Sequence, residues 1–408
     1  MTPHKRVLFL GPTGVDKSAA ASRLMNFVEK NWGHSIQYVD FENDFLKKHI
    51  ARHSYKTWTS FLAADLRAQS SIWRTAWEEF SKTLGAEITI LGLHATYVSG
   101  IMGLRCPIHV PDICESFKPT LIVSLIDDVQ NMWRRTEERA GGKDLAGRPT
   151  FEQLLSARRA EQILGDMIVT HSQPSDVRHV VCATGNALVS LANLTIFDAD
   201  VTYMSFPISV PMEMAKNGDR SFIELINRAH QIALTVMQKE HARAFITPLS
   251  IDELPLLELK SGEDGNVVYD CASGRWNQNE LWGDPDAAIL PMLKDGFKIP
   301  IAEQIKPAEG AMRTDVGWRD RRLVLQSRSL AIVCPKDPNK DRITRGVRDE
   351  IGTAIAVGTP CFYWQNPEWD KDGFVQSQFP SAGSMGPGLT ELLVQRVDSL
   401  DALLSAKP

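Results

Sequence analysis

The sequence predicts an α/β protein made of two doubly wound parallel-sheet domains. Short apolar runs of strand length alternate with longer runs of helical periodicity, and this alternation restarts near residue 195. Parallel strands need crossover connections that are usually helices, so the alternation indicates parallel sheets with helices on their faces. The length of 408 residues also exceeds what one ordinary core accommodates.

The first predicted domain covers residues 1–197. Its strands are predicted at residues 7–10, 36–40, 88–93, 121–126 and 179–182. Its helices are predicted between those strands, at residues 17–29, 61–83, 129–139 and 151–169. The strand segments are short and apolar, whereas the helical segments are longer and carry apolar residues at helical spacing.

The second predicted domain covers residues 198–408. Its strands are predicted at residues 201–205, 244–247, 330–334 and 360–363, and its helices at 220–241, 320–327, 346–357 and 388–395. Periodicity is weak near residues 250–310, and residues 262–283 are rich in Gly, Asp, Asn and Trp. This region is therefore predicted to be an insertion that forms a loop or a β-hairpin.

The composition limits the classes of partner. The net charge of −5 gives no general attraction to nucleic acid or to anionic membranes. No uninterrupted apolar stretch is long enough to span a bilayer, and the first six residues lack the features of a signal peptide. Because the six cysteines include no CxxC pair, we expect buried thiols in a cytoplasmic protein. The net charge and the absence of a spanning stretch lead us to expect no membrane partner and no clear nucleic-acid partner.

Residues 11–18 read GPTGVDKS and lie between a predicted strand and a predicted helix. In this context, backbone N–H groups around Gly11, Thr13 and Gly14 would surround a phosphate, aided by the positive potential of the helix N-terminus. Lys17 would contact further phosphate oxygens, and the Ser18 hydroxyl would bind Mg²⁺. The motif resembles Walker A and predicts a nucleotide site.

The segment up to about residue 195 resembles the adenylate-kinase-like nucleotide kinases. Its predicted strand at residues 121–126 is followed by Asp127 and then by a group of arginines, as on the approach to the lid of those enzymes. The resemblance implies ATP and Mg²⁺ at the loop, with Arg135 and Arg139 binding phosphate. Asp40 or Asp127 is expected to hold the Mg²⁺ together with Ser18.

Two features depart from that pattern. Asp16 replaces the last glycine of the motif, and its carboxylate would repel a bound phosphate. The strand at residues 88–93 is followed by His94 instead of a carboxylate. The loop is therefore predicted either to bind nucleotide for phosphoryl transfer or to bind it weakly or not at all. Arg158 and Arg159 are predicted to be phosphate ligands or part of a solvated helix face.

Three separated fragments carry a second resemblance. They are residues 201–209 (VTYMSFPIS), 318–328 (WRDRRLVLQSR) and 344–354 (TRGVRDEIGTA), the last closing with the GTP sequence at 358–360. In this order they resemble the nucleoside 2-deoxyribosyltransferase-like superfamily, including its nucleoside 5′-monophosphate N-glycosidase branch. The resemblance covers about residues 199–395, apart from 250–310. It implies a flavodoxin-like sheet with its site at the carboxyl ends of the strands.

The superfamily pattern assigns catalytic roles to three residues. Cleavage of an N-glycosidic bond develops positive charge at C1′, which a carboxylate can stabilise or attack. By the resemblance, Glu350 is the nucleophile, Asp320 assists at the base or ribose, and Tyr203 orients Glu350. The position of Glu350 near a helix start is expected to help keep it ionised.

The same pattern places a 5′-phosphate at the third fragment. Thr344 stands where the monophosphate branch carries a phosphate-binding hydroxyl, and Gly346 lets the backbone approach the ligand. Ser205 and Pro207, at the end of the first fragment's strand, complete the predicted substrate-binding residues. Arg328 departs from the pattern, because many relatives have an acidic residue there, and it is expected to alter base recognition or to mark a changed substrate.

The predicted function is cleavage or transfer at the N-glycosidic bond of a nucleoside or nucleoside 5′-monophosphate, which needs no cofactor. One alternative is a nucleoside or nucleotide kinase whose second domain sets specificity. Others are an NAD-cleaving or nucleotide-sensing protein and a catalytically silent scaffold. Because relatives of the second domain commonly assemble, the resemblance also implies a homo-oligomer.

Overall fold

The structure is a computed structural model that describes residues 4–53, 55, 57–99, 103–140, 149–172, 177–251, 253, 256–257, 265–269, 281–284, 286–291, 297–336, 342–369 and 393–407. The chain divides into two compact units. The first comprises Met1–Thr184, Glu253–Asp270 and Leu293–Asp315, and the second comprises Gly185–Asp252, Cys271–Met292 and Val316–Pro408.

Strands and helices alternate along most of the described chain. The strands are β1 (Lys5–Leu10), β2 (Gln37–Asp40), β3 (Ile88–Leu93), β4 (Tyr97–Ser99), β5 (Gly103–Arg105), β6 (Leu121–Ile126), β7 (Arg178–Ala183), β8 (Asp200–Ser205), β9 (Arg243–Ile246), β10 (Asn266–Tyr269), β11 (Phe297–Pro300), β12 (Ser329–Val333), β13 (Cys361–Trp364) and β14 (Val394–Arg396). The α-helices are α1 (Lys17–Trp32), α2 (Lys47–Arg52), α3 (Trp58–Leu62), α4 (Leu66–Ser81), α5 (Val110–Asp112), α6 (Val129–Ala140), α7 (Phe151–His171), α8 (Leu188–Phe197), α9 (Ser209–Lys216), α10 (Ser221–Lys239), α11 (Lys306–Leu325), α12 (Arg345–Ala356) and α13 (Leu400–Ser405).

The first unit contains a five-stranded parallel sheet in the order β2-β3-β1-β6-β7. Every residue of β3 and β6 is buried, as expected for strands that are covered on both faces. An aromatic cluster packs beside this sheet, in which Phe41 contacts Trp73 and Trp77, with ring centroids 5.3 and 5.4 Å apart. These contacts place the core of the unit around its central strands.

The second unit contains a separate five-stranded parallel sheet in the order β14-β13-β12-β8-β9. Tyr203 of β8 pairs in register with Leu330 of β12, and Ser205 pairs with Ile332. The chain first builds outward from β8 to β9 and then crosses to β12 on the other side. The order therefore changes direction between β8 and β12, where α/β proteins bind ligands beyond the carboxyl ends of the strands.

The predicted α/β class with two parallel sheets is confirmed. The predicted strands coincide with β1, β2, β3, β6, β7, β8, β9, β12 and β13 to within two residues at each end. One predicted helix, residues 61–83, is two helices in the structure, α3 and α4. The break falls at Asp65, whose side chain caps α4 by accepting from the N–H groups of Arg67 and Ala68.

Two predicted helices of the second half are wrong in extent or type. The helix predicted at residues 320–327 begins earlier, because α11 starts at Lys306. The helix predicted at residues 388–395 ends in a strand, since β14 pairs in parallel with β13, Val394 against Cys361. Residues 388–392 lie outside the described part of the chain. Pairing with the edge of an existing sheet outweighs a local helical preference here.

The division between the units differs from the predicted boundary after residue 197. Helix α8 lies in the second unit, because its polar side chains bond to the backbone of β9. The Ser190 hydroxyl donates to the Phe245 carbonyl at 2.9 Å, and the Asn193 amide donates to the Arg243 carbonyl at 2.8 Å. Both side chains are fully buried, so these bonds satisfy polar groups that burial would otherwise destabilise.

Parts of the predicted insertion, residues 250–310, lie in the first unit. Glu253 pairs with Arg158 of α7 at 2.5 Å, and Asp315 pairs with the same guanidinium. Strands β10 and β11 form an antiparallel pair, but β11 lies beyond the loop or hairpin predicted at residues 262–283, of which residues 270–280 lie outside the described chain. The ion pairs connect Glu253 and Asp315 to α7 of the first unit.

Candidate functional site

The predicted catalytic glutamate is held by two hydroxyl groups from one strand. The Tyr203 hydroxyl donates to Glu350 Oε1 at 2.7 Å, and the Ser205 hydroxyl donates to Glu350 Oε2. Because residues two apart on a strand point to the same face, β8 presents both donors to one carboxylate. The structure therefore brings together Tyr203, Ser205 and Glu350, with both oxygens of the carboxylate bonded.

Glu350 lies on α12, on the helix face that is turned into the protein. It is only 7% exposed, and Val347, Ile351 and Ala354 are buried on the same face. These positions lie three or four residues apart, which is the spacing of one helix face. A carboxylate at such a position lacks the hydration that stabilises its charge.

The charge state of Glu350 is set mainly by its burial. Burial and the neighbouring Asp320 carboxylate raise the pKa of Glu350 to about 8, against the opposing effects of Ser205, Tyr203 and Arg319. Burial, Glu350 and Asp320 raise the pKa of Tyr203 as well, so this hydroxyl keeps its proton and remains a donor. The expectation that the helix start would keep Glu350 ionised is wrong, since burial dominates.

Asp320 lies inside α11 and is bound by the residue before it. Arg319 Nε and Nη2 each lie 3.0 Å from Asp320 Oδ1. The Arg319 side chain is 3% exposed, whereas the Asp320 side chain is 19% exposed. Asp320 is thus the more accessible of two neighbouring carboxylates, and Arg319 partly neutralises both.

Arg319 is a site residue that the sequence did not reveal. It lies in the second fragment, but an arginine beside an aspartate on a polar helix usually faces solvent. Ser205, which the resemblance assigns to substrate binding, donates to Glu350 in the structure. A small hydroxyl residue two positions after Tyr203 on a predicted strand is the signal from which this contact could have been inferred.

The predicted phosphate-binding residues lie at the start of α12. Thr344 is the residue before the helix, and its side chain makes no capping bond. Its hydroxyl oxygen is buried and has no hydrogen-bond partner among the residues that the structure describes. A Cβ added to Gly346 would meet no atom within 4 Å, so the protein itself does not require glycine there. Pro207 is buried just after β8, and its carbonyl accepts from Val210 N–H.

Arg328 lies away from these residues. It precedes β12, its side chain is 74% exposed, and its Nε is 3.5 Å from Asp200 Oδ1 at the start of β8. Arg328 and Asp200 therefore lie at the amino ends of β12 and β8. Ser205 is the last residue of β8 and lies at its carboxyl end. The expectation that Arg328 alters base recognition is therefore not supported by its position.

In the first unit, the predicted P-loop residues connect β1 to α1. Gly14 has φ +91°, and a Cβ there would come within 2.3 Å of the Met132 carbonyl oxygen, so this position needs glycine. Thr13 lies in the same turn. A Cβ on Gly11 would come within 2.8 Å of the Leu125 carbonyl oxygen. The loop thus packs closely against the neighbouring backbone.

Lys17 and Ser18 both contact the loop itself. Lys17 is 5% exposed, and its Nζ donates to the Gly11 carbonyl at 2.7 Å. The Ser18 hydroxyl donates to Asp16 Oδ1 at 3.1 Å. Asp40 accepts from the backbone and side-chain N–H groups of Asn43. These contacts do not fit a magnesium–triphosphate complex as the residues stand.

The predicted lid arginines differ in what they contact. Arg135 is nearly buried and donates to Asp127 Oδ2 at 2.5 Å and to the Gly14 carbonyl at 3.1 Å. The side chain of Arg139 lies outside the described part of the structure. Arg158 is 1% exposed, so its interpretation as a solvated residue is wrong. Among the described residues, no three His, Cys, Asp or Glu side chains group closely enough to hold a metal.

A Ser–His–Asp series occurs elsewhere in the first unit. His179 Nδ1 lies 2.8 Å from Asp166 Oδ1, and His179 Nε2 lies 2.8 Å from the Ser124 hydroxyl. Ser124 is fully buried within β6, however, and a nucleophile must be reachable by its substrate. Gly165 allows the ring to pack there, since a Cβ would come within 2.4 Å of His179 Cε1. We assign this series to packing.

Comparison with protein-family models and with curated proteins identifies no relative. No protein-family model matches the sequence, and no curated protein matches it at a significant level. None of the helices in the described ranges is long and apolar enough to cross a membrane. The two superfamily resemblances therefore stay predictions, and the function is proposed below from the contacts of the site residues.

Proposed function

We propose that the second unit cleaves the N-glycosidic bond of a nucleoside or nucleoside 5′-monophosphate, with Glu350 as the nucleophile. The observation that supports this most strongly is the double hydrogen bond from Tyr203 and Ser205 to a buried carboxylate. A carboxylate fixed in this way is pre-oriented for attack and loses little freedom in the reaction. Asp320 beside it provides the second carboxylate that such chemistry uses.

The reaction proceeds in two steps. An oxygen of ionised Glu350 bonds to C1′ as the C1′–N bond breaks, and the bonding electrons leave with the base, which takes a proton from solvent beside Asp320. Water then attacks C1′ as the bond from C1′ to Glu350 breaks, which releases the sugar and restores the Glu350 carboxylate. The attacking water loses one proton to the ionised Asp320, which passes it to solvent. If a second base replaces the water, the same intermediate gives transfer instead of hydrolysis.

The topology supports a flavodoxin-like fold for the second unit. Numbered within the unit, its strand order is 2-1-3-4-5, which is the order of flavodoxin-like doubly wound sheets. Tyr203 and Ser205 are on the first of these strands, and Glu350 is on the helix after the third. The site therefore lies where the strand order changes direction, which is the usual ligand position in this fold.

A 5′-phosphate is proposed to bind at the start of α12. The free N–H groups of a helix N-terminus favour anions, and the Thr344 hydroxyl has no bond to another described residue. Arg348 lies on the first turn of the same helix and adds positive charge. Phosphoryl transfer by the first unit, NAD cleavage and homo-oligomer formation stay predictions, because no contact in the described structure favours them.

The proposed function is tested with a panel of nucleosides, nucleoside 5′-monophosphates and NAD, with chromatographic detection of released base. We expect base release from at least one nucleoside or nucleoside monophosphate. In Thr344→Val, which keeps the shape of the side chain, the rate with a monophosphate should fall about tenfold, because one hydrogen bond to a charged group is lost. The rate with the matching nucleoside should stay within about twofold of the wild type. A folded protein that releases no base from any compound would refute the proposal.

The pH dependence tests the role of Glu350. We expect kcat/KM for base release to rise with pH and to level off above pH 8, because attack needs the ionised carboxylate and its pKa is about 8. In Ser205→Ala, the midpoint should move to higher pH, since one hydrogen bond that favours the ionised form is lost. A rate that falls over this pH range would instead show that Glu350 acts as a proton donor.

A further inference from the structure

The loop between β1 and α1 resembles a P-loop, and a P-loop binds phosphate only if its backbone N–H groups and its lysine are available to it. A phosphate in such a loop is held by backbone N–H groups, the helix N-terminus and the lysine ammonium. In this structure, the Val15 N–H donates to the Pro12 carbonyl at 3.2 Å, and the Lys17 N–H donates to the Val15 carbonyl at 2.9 Å. Two amide donors of the loop are therefore used within the loop.

The N-terminus of α1 is occupied by the carboxylate of Asp16. Its Oδ1 accepts from the Ala19 N–H at 3.4 Å and from the Ser18 hydroxyl at 3.1 Å. A carboxylate in this place satisfies the helix donors and its positive potential in the way that a phosphate would. It also brings a negative charge to the point where phosphate oxygens would have to lie.

The Lys17 ammonium is engaged on the other side of the loop. Its Nζ donates to the Gly11 carbonyl and lies close enough to Glu42 and Glu161 to favour the ionised form of both buried carboxyls. Burial raises the pKa of Glu161 overall, and Lys17 is the largest opposing influence. The Lys17 ammonium is thus bonded within the loop, and its charge also favours the ionised forms of Glu42 and Glu161.

From these contacts we infer that the first unit's P-loop holds its own carboxylate in place of phosphate, and that Asp16 is the residue which prevents nucleotide binding there. The backbone of Asp16 has φ −81° and ψ 75°, a conformation that does not depend on glycine. Replacing Asp16 by glycine therefore removes the carboxylate without requiring a different backbone conformation at this position. This inference does not depend on the function proposed for the second unit.

The test is Asp16→Gly, with binding of magnesium ATP and of inorganic pyrophosphate measured by isothermal titration calorimetry. Glycine is itself a favourable residue before a helix, so we expect the variant to fold, which a thermal melt checks. We expect both probes to bind at least about tenfold more tightly than to the wild type, since removal of one like charge near a surface site is worth that factor.

Asp16→Asn is the matched control, because it removes the charge but leaves a side chain that caps the helix and fills the site. It should gain less affinity than Asp16→Gly. Adding Ser18→Ala to Asp16→Gly should reduce the gained affinity for magnesium ATP, since Ser18 is the predicted Mg²⁺ ligand of the loop. The inference is overturned if the wild type binds either probe as tightly as Asp16→Gly does, or if Ser18→Ala leaves the gained magnesium–ATP binding unchanged.

Discussion

Glu350→Gln is expected to lower kcat for base release by about 10³-fold or more, because it removes the nucleophile while keeping the shape of the side chain. The glutamine carbonyl oxygen still accepts from one of the two hydroxyls, Tyr203 or Ser205, and its NH2 group can donate to the oxygen of the other. The measurement is single-turnover release of base from the best substrate of the panel. Binding of that substrate should change far less than the rate of bond cleavage.

The matched control is Asp349→Asn, which makes the same chemical change one residue earlier on α12. The Asp349 side chain is 57% exposed and faces away from the buried carboxylate. This variant should keep base release within about twofold of the wild type, as surface substitutions usually do. Equal activities of the two variants would show that Glu350 is not the nucleophile.

A thermal measurement distinguishes lost chemistry from lost folding. The folded-state pKa of Glu350, about 8, lies above its ordinary value, so the folded protein holds this proton more tightly than the unfolded chain. Its contribution to stability is present at low pH and is lost as pH rises through about 8. Glutamine does not titrate, so only the wild type loses this contribution as the pH rises. The Tm of Glu350→Gln minus the Tm of the wild type should therefore be larger above pH 8 than at low pH, by roughly 3 °C or more.

Arg158→Met is expected to destabilise the first unit by about 3–5 kcal/mol, because it leaves the buried Glu253 carboxylate without this cation and leaves Asp315 with Arg159 only. Arg158 is fully enclosed, pairs with Glu253 at 2.5 Å and with Asp315, and donates to the Asp127 carbonyl at 2.7 Å. Burial lowers the pKa of Arg158, but the two carboxylates outweigh it and keep the guanidinium charged. The measurement is differential scanning calorimetry.

Arg313→Met is the matched control for that substitution. The Arg313 side chain is 61% exposed and pairs with Glu309 one helical turn away, which contributes about 0.3–0.5 kcal/mol. A similar loss of stability in both variants would contradict the assignment of Arg158 as a buried structural cation. A double variant, Arg158→Met with Glu253→Gln, should recover part of the loss, because one uncompensated charge is also removed.

The two predicted sheets illustrate what local sequence patterns can determine. Runs such as residues 121–126 are apolar at every position except Ser124, which is typical of a strand covered on both faces, and β6 has these same bounds. The edge strand β14 was not predicted because Val394–Arg396 carries no such run, and only its pairing with β13 makes it a strand. Edge strands depend on a neighbour more than on their own composition.

The sequence by itself determined the α/β class, most of the strands and the three fragments that carry Tyr203, Asp320 and Glu350. Only the tertiary structure decided that Ser205 donates to Glu350, that Arg319 lies buried beside Asp320, and that Arg158 is a structural cation. The physical reason is that a strand or helix is specified by contacts within a few residues, whereas burial and charge depend on side chains far apart in the chain. Glu350 and Ser205, 145 residues apart, bond only because β8 and β12 are adjacent.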